Sequence, residues 1–326
     1  MTASPDDPAL NKEYKYVKCQ FIGEGNKAFV KLNMLKADVV LSTTPGLDVY
    51  QWRRSPDVKY YVHILHAAND ITGYRMFGVD YYDGLLLSGE YQVEQIRQLE
   101  KLRNLPAKEI KVIGVNYMDE LAKKIASAPK VGEHPVTVLL APSWGPSGIL
   151  SRFGGKIFDA LISTGYKKIV RPHPQSYVSE IELMEKLQKE YPDSENFQWN
   201  RDNDNFDVLN KSDILISDFS GVTLDFSLVF DKPIIYTDTS FDKGPYDAWW
   251  LDEEMWMFKI LPFLGNKLTE DNLQNIKDVI DNCLHDNKFA EGREKARNEG
   301  WANRGNATIS AVDFLIDKYN QLNMEK

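Results

Sequence analysis

Short runs of consecutive apolar residues alternate with amphipathic stretches of helical length along this chain. That alternation restricts the fold more than any other feature. Runs such as LLL at 85–87, VLL at 138–140 and ILI at 214–216 are apolar at successive positions, not at every second one. A strand buried on both faces reads this way, whereas a strand with one solvated face alternates. The pattern predicts strands at 16–22, 38–42, 59–65, 84–87 and 110–115. A second set is predicted at 136–140, 168–171, 197–199, 213–216, 233–236 and 255–260. Helical periodicity fills the intervals at 92–104, 155–164, 179–191, 221–230, 270–285 and 307–321. The fold class that follows is α/β, with mostly parallel sheets and helices on both sides.

The length of 326 residues exceeds what one core comfortably supports, since single cores stop growing at roughly 250–300 residues. The polar stretch KIASAPKVGEHP at 124–135 carries two prolines and a glycine and precedes the charge-free strand VTVLLAPS. It marks the best boundary, giving an N-terminal unit at 1–130 and a C-terminal unit at 131–326, with the last helix free to cross back. Two doubly wound units of this kind face each other across a cleft, and ligands bind at the carboxyl ends of the strands.

Composition removes several function classes. With 39 Lys+Arg against 48 Asp+Glu, the net charge is −9, which argues against tight electrostatic binding to nucleic acid. Cys19 and Cys283 form no framework and no C-x-x-C, so neither disulfide scaffolding nor thiolate metal ligation is indicated. The acidic start MTASPDDPALNKEYK lacks the basic end and apolar centre of a signal peptide. The longest stretch free of charged side chains, 134–151, is broken by prolines and glycines and cannot form a membrane span. The expected location is the cytoplasm; a peripheral contact with the inner face of the membrane and a homo-oligomer stay open.

Four segments carry candidate chemistry. Gly23-Glu24-Gly25-Asn26-Lys27-Ala28 satisfies G-x-G-x-x-[GA], yet no acid ends the following strand to hold a ribose, so a Gly-rich turn lining the cleft is the plainer reading. In YVHILHAAND (61–70), His63 and His66 are three apart and face opposite sides of a strand, which disfavours joint metal ligation. His66, nearer the carboxyl end, is the better general base, with Asp70 as a candidate partner. RPHP at 171–174 follows an apolar strand, and its prolines present Arg171 and His173, a pair suited to phosphate or pyrophosphate.

The strongest segment is DILISDFSGVTLDF at 213–226, a buried strand running into a turn and a helix. Ser217, Asp218 and Ser220 are all capable caps, the helix start at Gly221 favours an anion, and the hydroxyls of Ser220 and Thr223 add donors. Asp218 would repel a phosphate unless it points into the fold. Asp225 is expected to be partly buried and structural. The aromatic group at 246–256, with Trp249 and Trp250, reads as a stacking surface, as packing or as a partner surface. A Walker loop, a G-x-S-x-G elbow, an H-E-x-x-H and an EF-hand are absent from the sequence.

Taken together, RPHP (171–174), SDFSGVTLDF (217–226) and KPIIYTD (232–238) resemble the CDP-glycerol glycerophosphotransferase family, the teichoic acid and capsule polyol-phosphate transferases. The likeness is good over about 136–285 and weaker but continuous over about 58–118. It implies a GT-B-like architecture of two Rossmann-like domains facing across a cleft, with the donor in the second. It also implies transfer of a polyol phosphate, glycerol phosphate first, from a CDP-polyol to a hydroxyl of a glycopolymer or lipid-linked acceptor, with release of CMP and no cofactor or metal. By that resemblance His66 matches the base. His173, with Arg171, matches the donor pyrophosphate contact, and Ser217, Asp218 and Ser220 match the phosphate-holding turn. Gly23, Gly25, Asp70 and Arg75 remain acceptor-side candidates. The family commonly places glycine and then a lysine after the histidine; here the chain reads His66-Ala67-Ala68-Asn69-Asp70, that lysine is missing, and Arg75 lies close. A GT-B sugar transferase or epimerase, and a silent nucleotide-binding module, are the competing readings.

Overall fold

A computed structural model describes residues 1–202, 204–237 and 241–324. Ten strands form two sheets, every pair parallel. The first sheet holds β1 (Ala37–Ser42), β2 (Val58–Ile64), β3 (Gly84–Leu87) and β4 (Glu109–Val112) in chain order. The second holds β5 (Thr137–Leu140), β6 (Lys167–Val170), β7 (Phe197–Trp199), β8 (Ile214–Ser217), β9 (Ile234–Thr237) and β10 (Gly265–Leu268). Its order, β7-β6-β5-β8-β9-β10, winds outward in both directions from β5 and β8. This is the Rossmann order, and its switch point falls between the ends of β5 and β8, where doubly wound sheets bind ligands.

Each face of the second sheet has its own core. One gathers Val138, Leu140, Ile214 and Ile216 with the helices Gly155–Ser163 and Ile276–His285. The other joins Leu139, Leu215 and Ile234 to Ala68, Val115, Met118 and Leu121 from the first half, so the two halves share apolar packing. The first sheet is covered on one face by Tyr91–Arg103 and its neighbours. On its other face Val62, Leu86 and Ile113 lie under Ala311 and Phe314 of the final helix, Ala307–Met324. A buried side chain of that kind contributes about 1.5–3 kcal/mol, enough to return the end of the chain to its first half.

Two strand expectations fail. Segment 16–22 makes only an isolated bridge between Phe21 and Thr2, and Tyr16 and Val17 are exposed. Segment 255–260 is helical, within Trp256–Leu264, and buries Trp256, Met257, Ile260, Leu261 and Leu264 with the helical period. A short apolar run cannot by itself distinguish a buried strand from a buried helix. The strand lies just beyond, at β10, where Gly265 is required: a Cβ there would fall 1.6 Å from the Ile234 carbonyl oxygen. Asp238, the last residue of KPIIYTD, lies outside the described residues. Lys232, the first, caps the helix Phe206–Lys211 by donating to the Asn210 and Ser212 carbonyls at 2.7 and 2.6 Å.

Three buried aspartates pin the halves together. Asp70 accepts from the Trp256 and Met257 amides at 2.8 and 2.9 Å and so caps a helix of the other half. Asp119 accepts from Trp301 Nε1 at 2.8 Å and from the Ala307 amide at 3.0 Å, anchoring the start of the last helix. Asp247 accepts from the Phe77 and Gly78 amides at 2.7 and 3.0 Å and from Arg103 Nη2 at 2.5 Å. Removing one partner of such a pair strands a buried charge, at a cost of about 3–5 kcal/mol. Asp247→Ala is therefore expected to lower the thermal midpoint by roughly 6–15 °C; an unchanged midpoint in a thermal melt would remove Asp247 from this role.

Candidate active site

The walls of the cleft come from loops at the carboxyl ends of β2, β8 and β9. The loop after β2 is held rigidly by the helix Tyr91–Arg103. The Tyr91 hydroxyl donates to the Ala68 carbonyl and Gln92 Nε2 to the Asn69 carbonyl, both at 2.7 Å. This fixes His66, which is exposed, at the edge of a cavity of about 220 Å³. Asn69 and Tyr74 line the same wall, and Phe219, Phe241 and Tyr246 line the opposite one. Asn69 reaches Gly221 across the cleft: a Cβ on Gly221 would sit 2.9 Å from Asn69 Nδ2. A side chain at 221 would have to displace the Asn69 amide from that approach.

His63 has a different environment. It is 1% exposed, its Nε2 lies 3.0 Å from the Tyr74 hydroxyl, and its Nδ1 is buried without a partner. Burial pushes its pKa down to about 3, with His66 adding a smaller effect, so it stays neutral. Asp70 is not the partner of His66. Both its oxygens are used in capping Trp256–Leu264, and Gln95 donates to it at 2.8 Å. Burial raises its pKa, against those hydrogen bonds.

The C-terminal wall is organised around Asp218. Its carboxylate points into the fold, accepting from the Ser143 amide at 3.0 Å and the Ile149 amide at 3.1 Å, which fixes the loop after β5 beside the end of β8. Burial raises the pKa of Asp218 while those amides oppose the rise. Ser217 is also inward, donating to the Ala141 carbonyl at 2.6 Å, and Thr223 donates to the Ser220 carbonyl at 2.8 Å. Ser217, Asp218 and Thr223 thus shape the turn. The half-buried Ser220 and Gly221 stand at its surface, where the first amides of the helical turn have no intrahelical acceptor.

Arg171 and His173 leave β6, which β5 separates from β8 and this turn. The His173 amide donates to the Pro142 carbonyl at 3.2 Å. Its Nδ1 accepts from the Gln175 amide at 3.1 Å, which places the ring proton on Nε2. Burial lowers its pKa, partly offset by Asp218, so the neutral ring is a hydrogen-bond donor. Arg171 donates to Asn200 Oδ1. Asn200 follows β7; it and Asn69 were not legible as site residues, because each depends on a contact distant in sequence.

Gly23, Gly25 and Arg75 stand apart. Gly25 starts the helix Asn26–Asn33, but no strand precedes it, and neither glycine lines the cavity. Arg75 is exposed beside Tyr246, with which it forms an isolated bridge. Among the described residues no group of three His, Cys, Asp or Glu could hold a metal ion. Nor is any helix long and apolar enough to cross a membrane.

Parallel α/β units that meet at one cleft through the carboxyl ends of their strands define a GT-B-type transferase architecture. Residues 79–303 match the model of the CDP-glycerol:poly(glycerophosphate) glycerophosphotransferase family, and the chain belongs to that family. It is a transferase of the CDP-glycerol glycerophosphotransferase type. The chain is similar to the wall teichoic acid polymerase TagF, with 17% identity, 92% of this chain and 75% of that one covered, and a TM-score of 0.54. The H548A form of TagF gives 17% identity, 91% and 75% coverage and a TM-score of 0.57. UDP-GlcNAc 2-epimerase from Methanocaldococcus jannaschii gives 14% identity, 85% and 82% coverage and a TM-score of 0.52. No curated protein matches the chain by sequence comparison.

Asp225 opens a π-helical turn, Asp225–Val229, behind this site, and burial raises its pKa to about 7. The folded chain then keeps a proton that the unfolded chain releases from about pH 4 upward, so this group makes stability fall as pH rises from about 4 to 7. Asp225→Asn is expected to melt several degrees above the wild type at pH 8 and level with it at pH 4. Equal midpoints at both pH values would rule out the buried acid.

Proposed function

We propose that this protein transfers glycerol phosphate from CDP-glycerol to a hydroxyl of a cell-surface glycopolymer or its lipid-linked precursor. Residues 131–306 form the donor half, and residues 1–130, covered by the returning last helix, form the acceptor half. The observation that carries this reading is the single cavity with the His66 loop on one wall and Phe219 of the SDFSG turn on the other. A second support is the solved TagF H444N variant soaked with CDPG, whose chain shares this fold.

In the proposed mechanism the donor pyrophosphate lies over the turn at Ser220 and Gly221. There it meets main-chain amides, the Nε2–H of His173 and the guanidinium of Arg171. The acceptor hydroxyl attacks the phosphorus that bears glycerol. The bond from that phosphorus to the bridging oxygen breaks, CMP departs with the electron pair, and His66 takes the hydroxyl proton. Amides and Arg171 stabilise the charge that moves onto CMP. Positioning dominates such a transfer, which suits loops tied to two rigid sheets. The reaction is placed in the cytoplasm, with the acceptor presented at the inner face of the membrane.

Incubation with CDP-glycerol, CDP-ribitol and UDP-sugars, scored for CMP or UDP release, tests the reading. UDP release alone would replace it with a sugar transferase. His66→Ala is expected to lower turnover by about 10²–10⁴-fold, and near-normal turnover would refute the base assignment. Arg171→Ala is expected to weaken donor binding, measured by calorimetry, by about tenfold or more. An unchanged donor affinity would count against the phosphate contact.

A further inference from the structure

The acceptor side of the cleft has an unusual chemistry for a protein that handles phosphates. Among the described residues lining the cavity there is no Lys or Arg; apart from His66, Asn69 and the capping Asp70, the wall is apolar and aromatic. A phosphate-bearing acceptor chain in such a wall would lie against aromatic rings, with Arg75, exposed beside Tyr246 and outside the lining, to neutralise it, whereas recognition of phosphate ordinarily uses several Arg, Lys or clustered amides.

The wall also continues outward. Segment 73–78 and segment 244–250 run side by side, joined where the Met76 amide donates to the Pro245 carbonyl at 3.1 Å. Gly73, Tyr74 and Tyr246 of these segments line the cavity, and Trp249 and Trp250 follow on the short helix Asp247–Trp250. Three residues span at most about 10 Å, so Trp249 lies within that distance of Tyr246 in the wall. Its indole is 64% exposed and that of Trp250 is 38% exposed.

Trp250 is held in place. The Arg103 guanidinium, 4% exposed and paired with Asp80 and Asp247, lies 4.9 Å from the Trp250 ring and 5.0 Å from the Phe77 ring. Trp250 Nε1 donates to Met76 Sδ at 3.1 Å. Aromatic rings fixed in place and left open to solvent mark a binding surface. Asp252, Glu253 and Glu254 follow at once and are exposed, and Glu253 is matched by Lys259 at 2.9 Å. The exposed Asp252 and Glu254 beside the indoles disfavour both an anionic lipid surface and a polyphosphate chain. The apolar C–H face of a neutral pyranose ring suits an indole and is indifferent to them.

We infer that the Trp249–Trp250 face and the aromatic cavity wall form one track for an uncharged sugar chain, which delivers its terminal hydroxyl to His66. The inference rests on the glycerophosphotransferase reading for the identity of the reaction, and it narrows the acceptor to a neutral glycan in place of a poly(glycerol phosphate).

The test uses the full chain, a panel of neutral pyranose oligosaccharides built on glucose, galactose or N-acetylhexosamine, and oligo(glycerol phosphate) of matched length. Binding is followed by tryptophan fluorescence without donor, and turnover by CMP release with CDP-glycerol. At least one neutral oligosaccharide is expected to bind more tightly than oligo(glycerol phosphate). Trp249→Ala should weaken that binding about tenfold, Trp249→Tyr should restore most of it, and donor affinity should not change. Tighter binding of oligo(glycerol phosphate), binding of none of the panel, or indifference of the tightest-binding neutral glycan to Trp249→Ala would overturn the inference. So would binding to phosphatidylglycerol vesicles that depends on Trp249. Glycan binding through Trp249 with no CMP release from any donor would leave the track standing and sink the reaction. CMP release onto oligo(glycerol phosphate), unaffected by Trp249→Ala, would do the reverse.

Discussion

The structure depends on carboxylates buried between its halves. Asp70, Asp119 and Asp247 each cross from one half to amides of the other, and each takes at least one further donor, from Gln95, Trp301 and Arg103 respectively. An aspartate in such a place is expensive unless its oxygens are matched, and these are matched largely by main-chain amides whose positions the sheets already fix. Burial still raises the pKa of Asp70 and Asp247. The consequence is a cleft whose walls are held in register: Asp70 is four residues from His66, and Asp247 is next to Tyr246 in the cavity wall.

The chemistry is built in the same economical way. Asp218, the residue of SDFSG that seemed most hostile to a phosphate, is consumed by the Ser143 and Ile149 amides and so supports the loop beside the switch point. What remains at the surface of the turn is Ser220, Gly221 and main-chain donors, with Arg171 and a neutral His173 at the end of β6, across β5. Main-chain amides at a helix start can hold an anion without a large basic field, so a net charge of −9 does not conflict with membership of this family.

Much of this was legible in the residues. The doubly buried strands at 84–87, 138–140 and 214–216 announced parallel sheets, because hydrophobicity at successive positions has few other uses in runs so short. The motifs at 171–174 and 217–226 read as lying at strand ends, and they do, at the ends of β6 and β8. Where periodicity was ambiguous, reading failed: 255–260 is a helix capped by Asp70, nearly 190 residues away in sequence. The role of Asp70 was hidden for the same reason, since a residue four positions after a histidine looks like its partner until the fold supplies a stronger claim on it.

The sequence by itself determined the fold class, the two-sheet organisation, the family likeness and the strand-to-turn placement of SDFSG, all of which arise from local patterning and short motifs. Only the tertiary structure decided which histidine is free: His63 and His66 differ by three positions, yet one is sealed against Tyr74 and the other lines the cavity. It alone decided that Trp250 is held against Arg103 and Met76, and that no Lys or Arg stands among the described residues lining the cavity. Those outcomes rest on burial and on contacts between distant segments, and neither is encoded in any one stretch of the chain.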